Sequence, residues 1–272
     1  MIPKSEKFIT EFRSGSSLPL LVEADDFQQY VIKLHGSGEG KLSTLTGLIA
    51  SRIAAMLGVK VLPELLIHFN SSIIPPGADP EITELAQRSN GINSATRFLP
   101  EAKPFNLDVN LLNQEERDLI FLTDLLLMNI DRTAKNPNIL CSGGSVYCYD
   151  YSMSMAVRNF FGNTRGNEQN LLPLMKRHLF WRKDINPENF ISRMKSVRSY
   201  EIQNIIEVIP IEWLREFPGP AFTDNLFRVI TKSDLFLKNL DLIRQLPDET
   251  EEEIRKKNLS SRQAFMDKFG QI

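Results

Sequence analysis

Cysteine is scarce in this chain: only Cys141 and Cys148 occur among its 272 residues. The pair lacks the C-x-x-C spacing typical of metal sites, so the sequence favours a reduced, cytoplasmic setting over a disulfide scaffold. Long apolar runs are also absent, and none approaches the roughly 20 residues that span a bilayer. The first ten residues are polar and contain no apolar core of a signal peptide. We therefore expect neither a membrane partner nor a secretory leader.

A surplus of either charge is missing as well, because the net charge is −2. A dedicated nucleic-acid binder usually carries a basic surplus, so no direct nucleic-acid binding is expected, although a local basic patch is not excluded. What the chain does have is ample material for a core, with 42% hydrophobic residues. Its length allows one large or two modest domains.

The first hundred residues read mainly as strands. Apolar residues alternate on both sides of the turn Ala24–Phe27, which predicts a hairpin. Apolar residues then recur at helical spacing over Ser43–Leu57, and Gly58 ends that helix. The next strand, Val59–Phe69, contains Pro63, which places it at a sheet edge or delays its start. The hairpin strands are predicted at Leu18–Glu23 and Gln29–Leu34.

Beyond residue 70 the pattern changes from strand to helix. Residues 70–95 are rich in Pro, Gly, Asn and Ser, which indicates a connector with a short helix at Pro80–Arg88. A strand near Ala95–Leu99 would then form a hinge between two lobes. Strands first and helices later predict an α+β protein with a small β-rich N-lobe, 1–100, and a mostly helical C-lobe, 101–272. The C-lobe elements are predicted as a helix at Asn113–Asn129, strands at Ile139–Leu140 and Val146–Tyr149, and helices at Asn186–Val197, Ser199–Val208, Ile211–Phe217, Asp224–Leu246 and Pro247–Phe269.

One segment combines an acid, an amide five residues later and a second acid beyond a short hydrophobic run: Asp131, Asn136 and Asp150. Kinases of the protein-kinase type use this arrangement for phosphoryl transfer. One Asp positions the attacking hydroxyl, while an Asn oxygen and a second Asp bind Mg²⁺. Hard oxygen ligands suit Mg²⁺, which bridges the nucleotide phosphates. The spacing therefore predicts Asp131 as the catalytic residue and Asn136 and Asp150 as metal ligands.

Each of these residues also has a purely structural interpretation. Asp131 could form an Asx-turn or a helix cap, because Asp-Arg-Thr is good turn chemistry. Asn136 precedes Pro137, which favours an extended residue in a turn, and Asn138 offers a second amide two residues on. Asp150 could simply end a strand. The register of the three together, and not any one of them, favours the metal-dependent chemistry.

A lysine in the predicted hairpin supplies the second half of the hypothesis. Lys33 lies in an apolar strand, where it either guards a sheet edge or reaches nucleotide phosphates, as the strand lysine of kinases does. The segment Ser14-Gly15-Ser16-Ser17, before the first clear strand, is a candidate phosphate-covering loop. Gly and Ser let backbone amides turn toward a phosphate. On its own this segment is a weak signal, since it lacks a G-x-G-x-x-G pattern.

Several of these segments together resemble the HipA-like kinases, bacterial relatives of the eukaryotic protein kinases. The resemblance rests on Tyr30–Lys33, the helix from Gly47 to Gly58, the Asn129–Asn138 loop and Tyr149–Asp150. The family has a Gly-Asn-x-Asp-x-x-x-x-Asn loop, which this chain matches except that Met128 replaces the Gly. The resemblance covers most of the chain, from about Phe12 to Leu214, and indicates the compact, stand-alone branch of the family.

The resemblance implies a kinase that uses ATP and Mg²⁺ to phosphorylate a Ser or Thr hydroxyl of a protein substrate. In such a kinase Asp131 would orient the acceptor hydroxyl and Lys33 would hold the ATP phosphates. Asn136 and Asp150 would bind Mg²⁺. The resemblance also implies a toxin–antitoxin component, whose antitoxin or separate N-terminal subdomain would be a partner protein. The family autophosphorylates a serine in its phosphate loop, and the candidates here are Ser14, Ser16 and Ser17.

One departure from the kinase pattern leaves the function open. In kinases an acid on the first helix pairs with the strand lysine, but this chain has Thr46-Gly47 at that place. Either Glu39 substitutes or no such pair forms, and a glycine there also weakens the helix by about 1 kcal/mol relative to alanine. The alternatives to a protein kinase are therefore a pseudokinase that serves as an interaction module, and a small-molecule or lipid kinase of the same fold.

Overall fold

A computed structural model describes residues 2–13, 18–37, 40–106, 108, 111–161, 168–216 and 222–247 of the chain. Three predicted features lie outside these residues: the Ser14–Ser17 loop, Glu39, and the tail helix at Pro247–Phe269 apart from its first residue. Within the described ranges, no helix combines the length and the apolar character needed to cross a membrane.

The N-terminal part is built on a sheet of five antiparallel strands. They are β1 Ser5–Glu11, β2 Leu20–Ala24, β3 Gln29–Lys33, β4 Glu64–Phe69 and β5 Gly91–Arg97, in the spatial order β1-β2-β3-β5-β4. The predicted hairpin is confirmed by the pairing of β2 with β3. The prediction for the strand that contains Pro63 is also confirmed, because β4 starts only after the proline and lies at the sheet edge.

The strand predicted near Ala95–Leu99 begins earlier than expected. β5 covers Gly91–Arg97 and lies inside the sheet between β3 and β4, so the last part of the predicted connector is a strand. The hinge between two lobes stays a prediction. The polar residues of β5 suggested a loop, yet Asn93 and Ser94 are buried and hydrogen-bonded. Asn93 donates from Nδ2 to the Ser89 carbonyl at 2.7 Å, and its Oδ1 accepts from the His35 backbone N–H at 2.9 Å.

Helices dominate the rest of the chain, as the order of elements predicted. The helices are α1 Gly40–Met56, α2 Pro80–Arg88, α3 Gln114–Leu127, α4 Met155–Phe161, α5 Glu168–Leu171, α6 Glu188–Ser196, α7 Ser199–Glu207, α8 Ile211–Glu216, α9 Phe222–Thr231 and α10 Ser233–Gln245. A small second sheet contains β6 Lys103–Pro104, β7 Ile139–Ser142 and β8 Ser145–Cys148. The α+β class with a small sheet first and a mostly helical part after it is therefore confirmed.

The single helix predicted at Asp224–Leu246 was wrong, because the structure divides it into α9 and α10 at Lys232. Thr231 marks the break, since its hydroxyl donates to the Phe227 carbonyl at 2.8 Å. Such a bond back to the preceding turn competes with regular helix geometry.

The described residues form two hydrophobic cores. The smaller lies between α2 and the inner face of the N-terminal sheet. The larger lies among α3, the small second sheet and the later helices, and α1 belongs to it through Leu45, Leu48 and Ile49. Helix α1 thus lies within the first hundred residues, before β4, α2 and β5, yet it packs with the helical part. The division at residue 100 stays a prediction.

Candidate active site

Lys33 lies on the face of the N-terminal sheet that is turned toward the helical part. Side chains alternate along β3, so Tyr30 and Ile32 enter the smaller core while Lys33 lies on the opposite face. Lys33 pairs across the ladder with Ser94, and paired residues project to the same side of a sheet. Leu66, which pairs with Ser94 from the other strand, packs against the larger core.

Asp150 meets Lys33 from the other part of the chain. It follows β8 with a left-handed backbone at φ 54°, a conformation that Asp adopts more readily than most residues. Its Oδ1 accepts hydrogen bonds from Lys33 Nζ and Ser152 Oγ, both at 2.7 Å. Burial alone would raise the pKa of Asp150, but the Lys33 ammonium and Ser152 outweigh this effect and lower it to about 2. The carboxylate is therefore ionised at neutral pH.

The loop after α3 folds around the Asp131 carboxylate. Asp131 Oδ2 accepts from Asn136 Nδ2 at 2.7 Å and from Asn138 Nδ2 at 3.4 Å. Burial raises the pKa of Asp131, and the charge of Asp150 adds to the increase, while the two amides oppose it. The structure therefore brings Asp131 and Asn136 into direct contact and places Asp131 within the electrostatic influence of Asp150.

Met128 stands where the Gly-Asn-x-Asp loop of the HipA-like kinases has glycine, and the backbone conformation at this position explains why glycine suits it. Met128 caps the C-terminus of α3 with φ 52° and ψ 44°, the left-handed region that costs other residues about 1–2 kcal/mol. Its side chain is only 3% exposed. Burying a Met contributes about 1.5–3 kcal/mol, so packing offsets the strained backbone in this chain.

The donor set of the loop fits Mg²⁺. Asn136 donates through its amide nitrogen, which leaves its amide oxygen for another partner, and Lys33 and Ser152 use only Oδ1 of Asp150. An anionic and a neutral oxygen suit Mg²⁺, which proteins commonly bind through one or two side chains while nucleotide phosphates supply further ligands. No cluster of three or more His, Cys, Asp and Glu side chains suited to a metal occurs in the described ranges. The residues therefore fit Mg²⁺ bound together with a nucleotide.

A buried ion pair, which the sequence did not predict, holds this loop. Asp124 and Arg132 side chains are both 0% exposed, and Arg132 Nε donates to Asp124 Oδ2 at 2.6 Å. Arg132 Nη1 also donates to the carbonyls of Asn138 at 2.6 Å and Tyr149 at 3.4 Å. Arg132 thus ties the Asp131 loop to the residue just before Asp150. The available signal was Asp124 itself, an acid within the apolar end of α3, which needs a partner when buried.

His178 completes the buried cluster as a neutral imidazole. Its Nε2 lies 2.9 Å from Asp124 Oδ2, and its Nδ1 lies 3.1 Å from the Phe180 backbone nitrogen, which donates to it. An Nδ1 that accepts a hydrogen bond carries no proton, so the proton is on Nε2. Burial lowers the pKa of His178 in the folded protein, although Asp124 acts against this.

We expect His178 to make the protein less stable in mild acid. In the unfolded chain His178 takes up a proton near the ordinary pKa of about 6.5, and in the folded chain only at lower pH. The contribution of the neutral histidine to stability is therefore complete above that pH and declines as pH falls. The decline is at most about 1.4 kcal/mol per pH unit. Urea unfolding between pH 5 and 8 should show a shallower decline for His178→Gln than for the wild type. His68→Gln, at an exposed histidine, should match the wild type, and an equal decline in His178→Gln would contradict the assignment.

Glu64 is a second feature that the sequence did not predict. It is 6% exposed and begins β4 directly after Pro63. Its Oε2 accepts from Ser94 Oγ at 2.9 Å, while its Oε1 is buried with no hydrogen-bond partner. Burial raises the pKa of Glu64, and Lys33 opposes the increase. An acid at the start of an apolar strand was the signal that could have identified it.

The structure thus brings together four of the predicted site residues, in two contacting pairs: Lys33 with Asp150, and Asp131 with Asn136. The other predicted residues, Ser14, Gly15, Ser16 and Ser17, lie outside the described part of the chain. The roles of all eight stay predictions.

The comparisons with known proteins concern the family and the fold. The profile of the HipA-like kinase family matches residues 6–235. The crystal structure of the Helicobacter pylori proinflammatory kinase CtkA is similar to this fold with a TM-score of 0.50 at 11% identity, and the match covers 92% of this chain and 100% of that one. MAP kinase LmaMPK10 from Leishmania major matches with a TM-score of 0.26 at 14% identity, covering 92% of this chain and 81% of that one. No curated protein matches the chain.

Proposed function

The chain belongs to the HipA-like kinase family, and from this premise we propose that it transfers the γ-phosphoryl group of ATP to a Ser or Thr hydroxyl of a protein, with Mg²⁺ as cofactor. The observation that carries the proposal is the contact between Lys33 and Asp150, which joins the N-terminal sheet to the helical part beside the Asp131 loop. Phosphoryl transfer depends mainly on positioning and on charge stabilisation, and a lysine in contact with a carboxylate beside a second carboxylate supports that chemistry.

Each residue has a distinct role in this proposal. Asp131 accepts a hydrogen bond from the acceptor hydroxyl and orients it for attack, and its contact with Asn136 fixes the carboxylate. Lys33 binds phosphate oxygens through its ammonium group. Asp150 and Asn136 supply oxygen ligands, and Mg²⁺, when bound, neutralises charge on the nucleotide phosphates. The Arg132 network keeps the two loops in register.

The finer parts of the proposal concern partners. A protein carrying a Ser or Thr acceptor is the proposed substrate, and the Ser14–Ser17 loop is the proposed site of autophosphorylation. An antitoxin, or a separate N-terminal subdomain, is the proposed partner in a cytoplasmic toxin–antitoxin pair. Growth arrest on expression of the wild type, and its relief by Asp131→Asn, would support a toxin. Unimpaired growth with both would contradict it.

The deciding experiment for the proposed activity incubates the purified protein with γ-labelled ATP, with Mg²⁺ or with EDTA, beside the Asp131→Asn variant. Label should appear on a serine or threonine of the wild type, and only in Mg²⁺. The Asp131→Asn variant should not be labelled, because a side chain that acts on the acceptor hydroxyl as a general base contributes about 10²–10⁴-fold. Mass spectrometry then locates the label. Nucleotide binding without transfer, in the presence of a casein-type acceptor protein, would favour the pseudokinase. Transfer to inositol lipids but not to protein would favour a lipid kinase.

A further inference from the structure

Glu64 lies on the same face of the sheet as Lys33. The register pairs Lys33 with Ser94 and Ser94 with Leu66. Glu64 is two residues before Leu66 in β4, and residues two apart in a strand project to the same side. The hydrogen bond from Ser94 Oγ to Glu64 Oε2 at 2.9 Å connects the two strands on that face. Lys33 and Glu64 thus lie on either side of Ser94.

Gly47 of α1 makes room for the Glu64 carboxylate. A Cβ atom at Gly47 would lie 3.3 Å from both Glu64 Oε1 and Oε2, which is tighter than ordinary van der Waals contact. By the resemblance to HipA-like kinases, this part of the helix is where kinases carry the acid that pairs with the strand lysine. The helix has no acid there, and β4 brings the Glu64 carboxylate next to the same position.

Glu64 has one carboxylate oxygen without a hydrogen-bond partner, and its negative charge acts on Lys33. Its Oε1 is buried without a hydrogen-bond partner, and a buried polar atom left in this way is costly. Lys33 currently donates to Asp150 Oδ1, at 2.7 Å. The negative charges of Asp150 and Glu64 both act on the Lys33 ammonium. When Asp150 turns to another cation, Glu64 still acts on Lys33 from the lysine's own sheet face.

Resting on the proposed function, we propose that Glu64 is the residue that positions Lys33 for the nucleotide phosphates, in place of an acid on the first helix. It acts through Lys33 and does not touch the reacting atoms. A merely structural role would instead have Glu64 balance Arg52, whose Nε is also buried without a partner and whose charge interacts with Glu64.

A double-mutant cycle with Lys33 separates these two roles, since residues that act through one another are not additive. The probe is Mg·ATP, with its Kd from isothermal titration calorimetry and kcat/KM from label transfer, for wild type, Glu64→Gln, Lys33→Met and the double variant. Glu64→Gln should weaken Mg·ATP binding and lower kcat/KM each by about 10-fold in the wild type. It should change neither in the Lys33→Met background. Circular dichroism and melting temperature verify that each variant is folded.

The other outcomes overturn the proposal. An unaltered Kd and kcat/KM in Glu64→Gln, or an equal loss in both backgrounds, would assign Glu64 a structural role. If Glu64→Gln does not fold, Glu64→Asp, which keeps the charge but shortens its reach, takes its place with the same expectation. A wild type that binds no Mg·ATP and transfers no label would overturn the proposed function together with this inference. Wild-type activity with no effect at Glu64 would overturn this inference alone.

Discussion

Replacing Asp150 with Asn should abolish metal-dependent nucleotide binding and reduce phosphoryl transfer by about 10²–10³-fold, because a bound metal supplies several kcal/mol of charge stabilisation. Asn keeps the shape of Asp150 but removes the proposed anionic ligand and the ion pair with Lys33. The pKa of about 2 means that the wild-type group is fully charged under assay conditions. Calorimetric titration with ATP, with and without Mg²⁺, measures the binding, and label transfer measures the rate.

The comparison with Asp131→Asn makes this prediction specific. Asp131 is proposed to orient the acceptor and not to bind the metal, so its Asn variant should keep Mg²⁺-dependent ATP affinity while losing transfer. The control Asp184→Asn also removes an aspartate from an ion pair with an arginine, at 2.8 Å, but at a residue whose side chain is 81% exposed. It should behave as the wild type. Retention of Mg²⁺-dependent binding in Asp150→Asn would show that Asp150 is not a metal ligand.

Local patterns predicted the elements of this fold better than the contacts between them. The hairpin, the edge strand after Pro63 and helix α2 follow from turn residues, proline and helical spacing that are visible in the sequence. The strand β5 was misplaced because its buried Asn93 is polar, and only the folded chain supplies the backbone groups that satisfy it. Burial of a polar side chain depends on its partners, which composition does not reveal.

The candidate site shows the same difference between local patterns, which the sequence reveals, and contacts between elements, which it does not. Lys33, Asp131, Asn136 and Asp150 were proposed from spacing, because phosphoryl transfer requires particular residue types in a particular order. The structure brings them together in two contacting pairs, and their roles stay predictions. Glu64 could not be placed beside them, since its position depends on the register of three strands and on the space above Gly47. The sequence suggested that a glycine in α1 meant a missing acid. In the structure the same glycine accommodates an acid from elsewhere.

Replacing Asp124 with Asn should destabilise the protein by about 3–5 kcal/mol, the usual cost of removing one partner of a buried ion pair. Arg132 would then be a buried cation without its counter-ion, and His178 would lose the carboxylate that its Nε2 contacts. Burial on its own would raise the pKa of Asp124, yet Arg132 and His178 keep it below the ordinary value. At about 2–4 °C per kcal/mol for a chain of this size, the melting temperature should fall by roughly 6–20 °C.

The same substitution should reduce activity even at temperatures where the variant remains folded. Arg132 holds the carbonyls of Asn138 and Tyr149, so freeing its guanidinium loosens the loops on both sides of the candidate metal site. Thermal melts followed by transfer assays at least 10 °C below each melting point, on the order of one unfolding transition width, separate the two effects. The control is Glu84→Gln, which breaks an exposed ion pair with Arg88 on α2 and should cost at most about 0.5 kcal/mol. Equal melting temperatures for Asp124→Asn and Glu84→Gln would show that the buried pair contributes no more to stability than a surface pair. Equal transfer activity of the two folded variants would show that Arg132 holds the loops without Asp124.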